Sequence, residues 1–237
     1  MGLDYSYEIF LPSRDVGRAL TRLAELAPRG RDTPPLRVTL PGGEQLTVPF
    51  TSNFKSEPVD CSAGGTLQLD TSIAIGVDDA VREFFLHDSD GVDEQGRVPV
   101  GYIYLTVGFS PAQHPNFASL QFTAATSRMS RMFARSASAR KTFTDLTAAI
   151  GGVCCLLDTE TDVLDICWLN GGTLRGETVP GTRFSRFHDL VATWHEPAEQ
   201  NGTTPARGTA HPPGPPVPTV PTIRPPERSG WCSSRRS

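Results

Sequence analysis

Lysine is almost missing from this chain. Lys55 and Lys141 are the only two among 237 residues, so arginine supplies nearly all the positive charge of a protein whose net charge is −4. A protein that wraps nucleic acid in bulk is expected to be basic, so no bulk nucleic-acid binding is expected. Long apolar runs are missing too. None approaches the roughly 20 residues that cross a bilayer, and the N-terminus lacks the basic-then-apolar layout of a secretory signal. Met1-Gly2-Leu3-Asp4-Tyr5-Ser6 satisfies the pattern for N-myristoylation. No basic cluster lies nearby, however, and one acyl chain anchors only marginally. The expectation is therefore no membrane attachment and a cytoplasmic location. The five cysteines contain no CxxC pair, and in the cytoplasm they would stay reduced. There is no G-x-S-x-G elbow and no phosphate-binding glycine loop. No cofactor and no metal are expected.

What is present is organised around residues 98–136, VPVGYIYLTVGFSPAQHPNFASLQFTAATSRMSRMFARS. Residues 100–107 are almost continuously apolar, β-branched and aromatic, which is how a strand covered on both faces reads. A loop with Pro111 and Pro115 follows, then a second apolar run over 117–125, then a basic helix. This is a central hairpin delivering a helix.

Before it, Leu3, Tyr5, Tyr7 and Ile9 alternate with polar residues and predict a half-buried strand. Val16, Leu20, Leu23 and Ala27 share one helical face, and Pro28 with Gly30 ends that helix. Residues 36–40 and 46–50, joined by a Pro-Gly-Gly turn, read as a hairpin whose second strand Pro49 confines to an edge or end. Residues 51–65 form a long polar connection, of the kind that is often functional. A strand over 67–75 and a short helix over 78–87 precede an acidic loop at 88–94. After the hairpin, helices are predicted at 127–135 and 139–150, the second closed by Gly151-Gly152.

Strands at 153–158 and 163–169 pair across a four-residue loop. That pairing puts Val153, Cys155 and Leu157 on one face with Leu164, Ile166 and Trp168, and sets Cys154 opposite Cys167. A last helix over 183–195 repeats Phe184, Phe187, Val191 and Trp194 at helical spacing. From 196 onward Pro, Gly, Thr and Arg dominate and nothing is periodic, so too little apolar surface remains to offset the entropy of ordering. The fold class is thus α+β. One domain spans 1–195, with a largely antiparallel sheet and helices mostly on one face, and a disordered Pro-rich tail spans 196–237.

The candidate chemistry is sparse. The Cys154/Cys167 pair reads as two small buried hydrophobes, because no third or fourth ligand is placed to complete a metal cage. The 88–94 loop superficially resembles a calcium loop, but Val92, Asp93 and Pro99 occupy positions where an EF-hand needs a ligand, glycine and glutamate. His188 and His195 are seven residues apart and His114 stands alone in a loop; neither forms a catalytic constellation.

The strongest lead is the start of the basic helix. Thr126 or Ser127 can cap it, Ser130 offers a further hydroxyl, and Arg128, Arg131 and Arg135 form a stripe on one face. With Arg140 and Lys141, residues 128–141 carry five positive charges and no acid. A solvated face neutralised by the acidic segment 78–94 is the plain alternative.

The function expected is a non-catalytic intracellular binding or protein-interaction domain, using the arginine surface and the loops 51–65 and 87–97 toward an acidic protein partner. The alternative is an enzyme acting on a small phosphate- or carboxylate-bearing anion held at Thr126, Ser127, Arg128, Ser130 and Arg131. The tail holds Pro213, Pro216, Pro218 and Pro221, then Ile223-Arg224-Pro225-Pro226. Such sequence favours polyproline II and suits an aromatic groove, or serves as a plain linker. It could also carry the interaction itself, with the domain as its anchor.

Overall fold

β1 (Ser6–Pro12) runs through the middle of the main sheet and its pattern explains the architecture. Tyr7, Ile9 and Leu11 are fully buried on one face, while Phe10 is buried on the other. The structure, a computed structural model, describes residues 2–28, 34–85 and 92–195. The expected disordered tail and residues 88–91 of the acidic loop lie outside them.

After β1 come a single 3-10 turn (Ser13–Asp15) and α1 (Val16–Ala24). Next are β2 (Leu36–Thr39), β3 (Gln45–Val48), β4 (Val59–Asp60), β5 (Thr66–Gly76) and α2 (Asp79–Phe85). The central hairpin is β6 (Arg97–Gly108) and β7 (Phe117–Ala124), and it leads into α3 (Ser127–Arg135) and α4 (Ala137–Ala149). Last are β8 (Cys154–Asp158), β9 (Leu164–Leu169), β10 (Gly172–Thr173), β11 (Thr178–Val179) and α5 (Phe187–Val191). The fold is α+β with a large antiparallel sheet in the order β10-β9-β8-β1-β7-β6-β5, and β11 pairs with β9. A small sheet, β3-β2-β4, stands beside it.

α1, α3, α4 and the small sheet share one core with the Tyr7 face of the main sheet. α1 belongs there because Val16, Ala19, Leu20 and Leu23 recur at helical spacing and are buried. Ser136 serves two helices at once. It ends α3 in extended backbone, and its hydroxyl accepts from Ala139 N at 2.9 Å to cap α4. α4 stops at Gly151, in the left-handed region at φ 73°, and Gly152 N returns to Thr147 O at 2.7 Å. A side chain at Gly152 would strike Thr147, 2.6 Å away.

The opposite face carries a smaller core. Phe10, Cys154, Leu156, Ile166 and Leu190 meet there with Phe184 and Trp194. The helix expected over 183–195 shrinks to α5, Phe187–Val191. Phe184 lies before it, where its backbone accepts from Gly181 N at 2.7 Å, and reaches the core from a loop.

One expectation of register, for β8 and β9, and one of coverage, for β6, are corrected at β-bulges. The β8/β9 ladder slips between Cys155 and Leu156, so Cys167 is an extra residue in β9. Cys155 still faces Trp168, but Leu156, not Cys155 or Leu157, shares its face with Ile166. Cys154 lies opposite Leu169 and not Cys167. The β5/β6 ladder slips at Thr71/Ser72 and leaves Tyr102 as the extra residue of β6. β6 is accordingly not covered on both faces: Val100, Ile103, Leu105 and Val107 are buried, whereas Tyr102 and Tyr104 are exposed.

Candidate functional site

α3 leaves β7 at Thr126, which is extended at φ −143° and ψ 149°. Its Oγ1 accepts from Met129 N at 3.2 Å, so the expected cap is Thr126. The neighbouring hydroxyls are committed elsewhere. Ser127 Oγ accepts from Leu3 N at 2.9 Å. Ser130 is fully buried; its Oγ donates to Leu3 O at 2.5 Å and accepts from Tyr5 N at 3.2 Å. The first turn of α3 therefore binds the backbone that enters β1. Ser127 and Ser130 thus fix the N-terminal segment to the helix, and the buried Ser130 hydroxyl spends its donor on the backbone.

The arginines lie along the α2–α3 contact. Arg128 Nη2 donates to Glu83 O at 2.7 Å, and its guanidinium sits 5.5 Å from the centre of the Phe84 ring. Arg135 Nη1 pairs with Glu83 Oε2 at 2.8 Å, with both side chains about 60 % exposed. Such an open pair contributes little stability. Arg131 is exposed and has no hydrogen-bond or ion-pair partner among the described residues. Together with Glu83, Phe84 and Met132 the three arginines line a solvent-open groove of about 180 Å³.

The remaining two charges of the basic segment turn away from this groove. Arg140 reaches Asp165 at 3.9 Å, and Lys141 pairs with Asp145 at 2.5 Å. Of the acids in 78–94, Glu83 neutralises part of the stripe. Asp78 instead accepts from Ser136 Oγ at 2.8 Å and Ser138 N at 2.9 Å, tying α2 to α4. Burial acts to raise the Asp78 carboxyl, but these hydrogen bonds and one from Val81 N outweigh it and hold the carboxyl below its ordinary value.

The other candidates resolve plainly. Cys155 and Cys167, not Cys154 and Cys167, are in contact. Burial first, and then the neighbouring Cys167, pushes the Cys155 thiol well up, which makes it an inert core residue. Asp93 serves a turn: its Oδ1 accepts from Gln95 N and Arg97 N, both at 2.9 Å. His188 and His195 are exposed and His114 is buried beside Phe10 and Trp194. No group of three or more His, Cys, Asp or Glu among the described residues is placed to hold a metal. No helix among them is long and apolar enough to cross a membrane.

One titratable group escaped the sequence reading. Glu8 points to the face opposite Tyr7, half-buried at the centre of the sheet. Burial, aided by the charge of Asp158 and opposed by a hydrogen bond from Ser119, raises its carboxyl from 4.5 to about 7. The only sequence signal was its place between Tyr7 and Ile9 in a central strand. Comparison of the chain with family models, with curated proteins and with solved structures found no match.

Proposed function

We propose that this chain is a non-catalytic protein-interaction module that receives an acidic partner on the arginine-bearing face of α3. One observation carries the reading: Arg131 stands exposed between Arg128 and Arg135, with no partner among the described residues, over a groove floored by Phe84 and Met132. A cation with no partner among the described residues breaks no ion pair there when it is recruited, and the neighbouring ring and thioether supply apolar contact beside it. The competing reading, an enzyme holding a small phosphate or carboxylate at the start of α3, is less well supported. Thr126, Ser127 and Ser130 already serve Met129, Leu3 and Tyr5. We take the compartment to be the cytoplasm, consistent with the free, buried state of Cys61, Cys154, Cys155 and Cys167.

Calorimetric titration with a glutamate-rich peptide, and separately with inorganic phosphate, tests both readings. The wild-type chain should bind the peptide, and the Arg128→Ala/Arg131→Ala/Arg135→Ala variant should not. Glu83→Gln, which releases Arg135, should tighten binding. Equal and negligible binding by all three proteins ends the proposal, while phosphate binding lost in Ser127→Ala would favour the enzyme reading.

A further inference from the structure

The three exposed phenylalanine and tyrosine side chains among the described residues, Phe54, Tyr102 and Tyr104, stand together at the β5–β6 corner of the main sheet. Two of them are turned outward by unusual backbone. Tyr102, the extra residue of β6, stands at φ 60° and is 65 % exposed, and Phe54 stands at φ 60° and is 63 % exposed. Bulky side chains rarely adopt the left-handed region, and where they do the surrounding structure holds them there. At Phe54 the holder is Asp70 on β5. Its Oδ2 accepts from Phe54 N at 2.6 Å and from Thr51 Oγ1 at 3.0 Å. The Phe54 ring meets Tyr104 edge to face, with 6.5 Å between ring centres. Phe54, Tyr102 and Asp70 line a solvent-open hollow of about 130 Å³, with Pro28 and Pro49 also on its wall.

This wall suits a cation and not an anion. Aromatic faces attract positive charge, and Asp70 is the only charged residue lining the hollow. Asp70 has no ion-pair partner among the described residues; its recorded donors, Phe54 N and Thr51 Oγ1, are neutral. The serine and threonine hydroxyls that an anion would need are spent. Thr51 donates to Asp70, Thr71 to Ile103 O at 2.8 Å and Ser72 to Val100 O at 3.2 Å. The kind of cation follows from the same inventory. A primary ammonium brings three donors and a guanidinium five, whereas the one carboxylate present already accepts two hydrogen bonds on Oδ2. A trimethylated ammonium brings the charge with no donor to satisfy, and its methyl groups pack on rings and prolines.

Size and surroundings indicate what carries that group. Cavities of about 150 Å³ take a benzene-sized molecule, and pockets for whole ligands start near about 300 Å³. The hollow therefore holds a head group and leaves its carrier outside. A second hollow, of about 530 Å³, shares Ala27 and Pro28 with the first and carries Glu25, Asp93 and Glu94. Arg22 and Arg97 partly neutralise Glu25 and Asp93, while Glu94 has no partner among the described residues. Such a neighbour complements basic residues flanking the head group in a peptide.

We propose that the hollow between Phe54, Tyr102 and Asp70 receives a trimethylated lysine side chain from a basic segment of a partner protein, with the flanking basic residues over Glu94. This does not rest on the α3 surface. Calorimetric titration of the full chain tests it with three arginine-flanked peptides that differ at one side chain. That side chain is trimethyllysine, lysine, or the uncharged analogue with carbon in place of the ammonium nitrogen. The trimethyllysine peptide should bind, and the other two should bind at least about tenfold more weakly. Tyr102→Gly tolerates the same backbone, and Asp70→Asn keeps an oxygen to accept from Phe54 N. Each should weaken binding of the trimethyllysine peptide by a similar factor, with urea midpoints showing that the variant is folded. The peptide series decides the matter even where a variant does not fold. Binding that is absent, that is equal for the three peptides, that survives Tyr102→Gly, or that choline matches in affinity would overturn the proposal.

Discussion

Tyr7 and Glu8 are consecutive residues of β1 with opposite fates. Tyr7 faces the helices. Its ring stacks on Phe143 at 4.3 Å and meets Phe133 edge-on, and its hydroxyl donates to Phe133 O at 3.0 Å. Every part of that side chain has a partner. Glu8 faces the other way, where α5 and its loop roof the β1, β8 and β9 end of the sheet and the start of β7 at Phe117. Toward β7, β6 and β5 the same face shows Gln121, Thr123, Thr106, Tyr104 and Gln68, none of them buried. One face is closed by helices with apolar stripes; the other is closed for half its width. The difference teaches where stability is concentrated and where the molecule retains titratable and aromatic groups that a core would exclude.

The largest effect should come from breaking the closed face. Phe143 touches Tyr7, Phe122 and Phe133, and Phe143→Ala should cost about 3–5 kcal/mol, seen as a lower urea midpoint. On the half-open face the sign reverses. The Glu8 carboxyl is raised from 4.5 to about 7, so its contribution to stability is fully present below pH 4.5 and is lost as pH rises through 7. Glu8→Gln should therefore stabilise the protein by up to about 3 kcal/mol above pH 7 and leave it unchanged near pH 4. Urea midpoints measured across that range check both limits, and equal stability of the two proteins at pH 8 would refute the account.

A smaller effect is expected at the roof. His114 Nδ1 is buried and makes no hydrogen bond to the described residues, and burial depresses its pKa below 6.5 against the weaker opposing pull of the nearby backbone at His114 and Phe117. Phe10, Phe187 and Trp194 face it, and no acid is packed against its ring in the aromatic cluster. A depressed pKa contributes stability above pH 6.5 that is lost as pH falls below it. The near-ultraviolet dichroism of the Phe10–Trp194 cluster should weaken in that direction, and His114→Phe should remove the trend. The least effect on folding is expected for Arg131→Ala, within about 0.5 kcal/mol because the side chain is exposed and has no partner among the described residues. The same substitution should nonetheless weaken binding of a glutamate-rich peptide.

Much of the helical face was legible because its signals are local. Val16, Leu20 and Leu23 repeat at helical spacing, Thr126 is a cap, and Gly151-Gly152 is a stop; each acts within a turn or two of its own position. The bulges at Tyr102 and Cys167 were not legible. A bulge belongs to a pair of strands, and nothing in the residues 100–107 or 164–169 alone says which neighbour will lack a partner. The α3 start was half legible. Its hydroxyls and arginines were named, but Ser127 and Ser130 spend their hydrogen bonds on Leu3 and Tyr5, more than 120 positions away. Burial of Glu8 depends likewise on which strands flank β1.

The sequence by itself determined the α+β class, the near absence of lysine, the arginine stripe and the boundaries of most helices, because periodicity and capping are written in adjacent residues. Tertiary structure alone decided which cysteines meet, which tyrosines face water and which of three arginines finds no partner among the described residues. Those outcomes depend on ladders and contacts between segments distant in the chain, where one inserted residue in a strand changes which face its neighbours occupy.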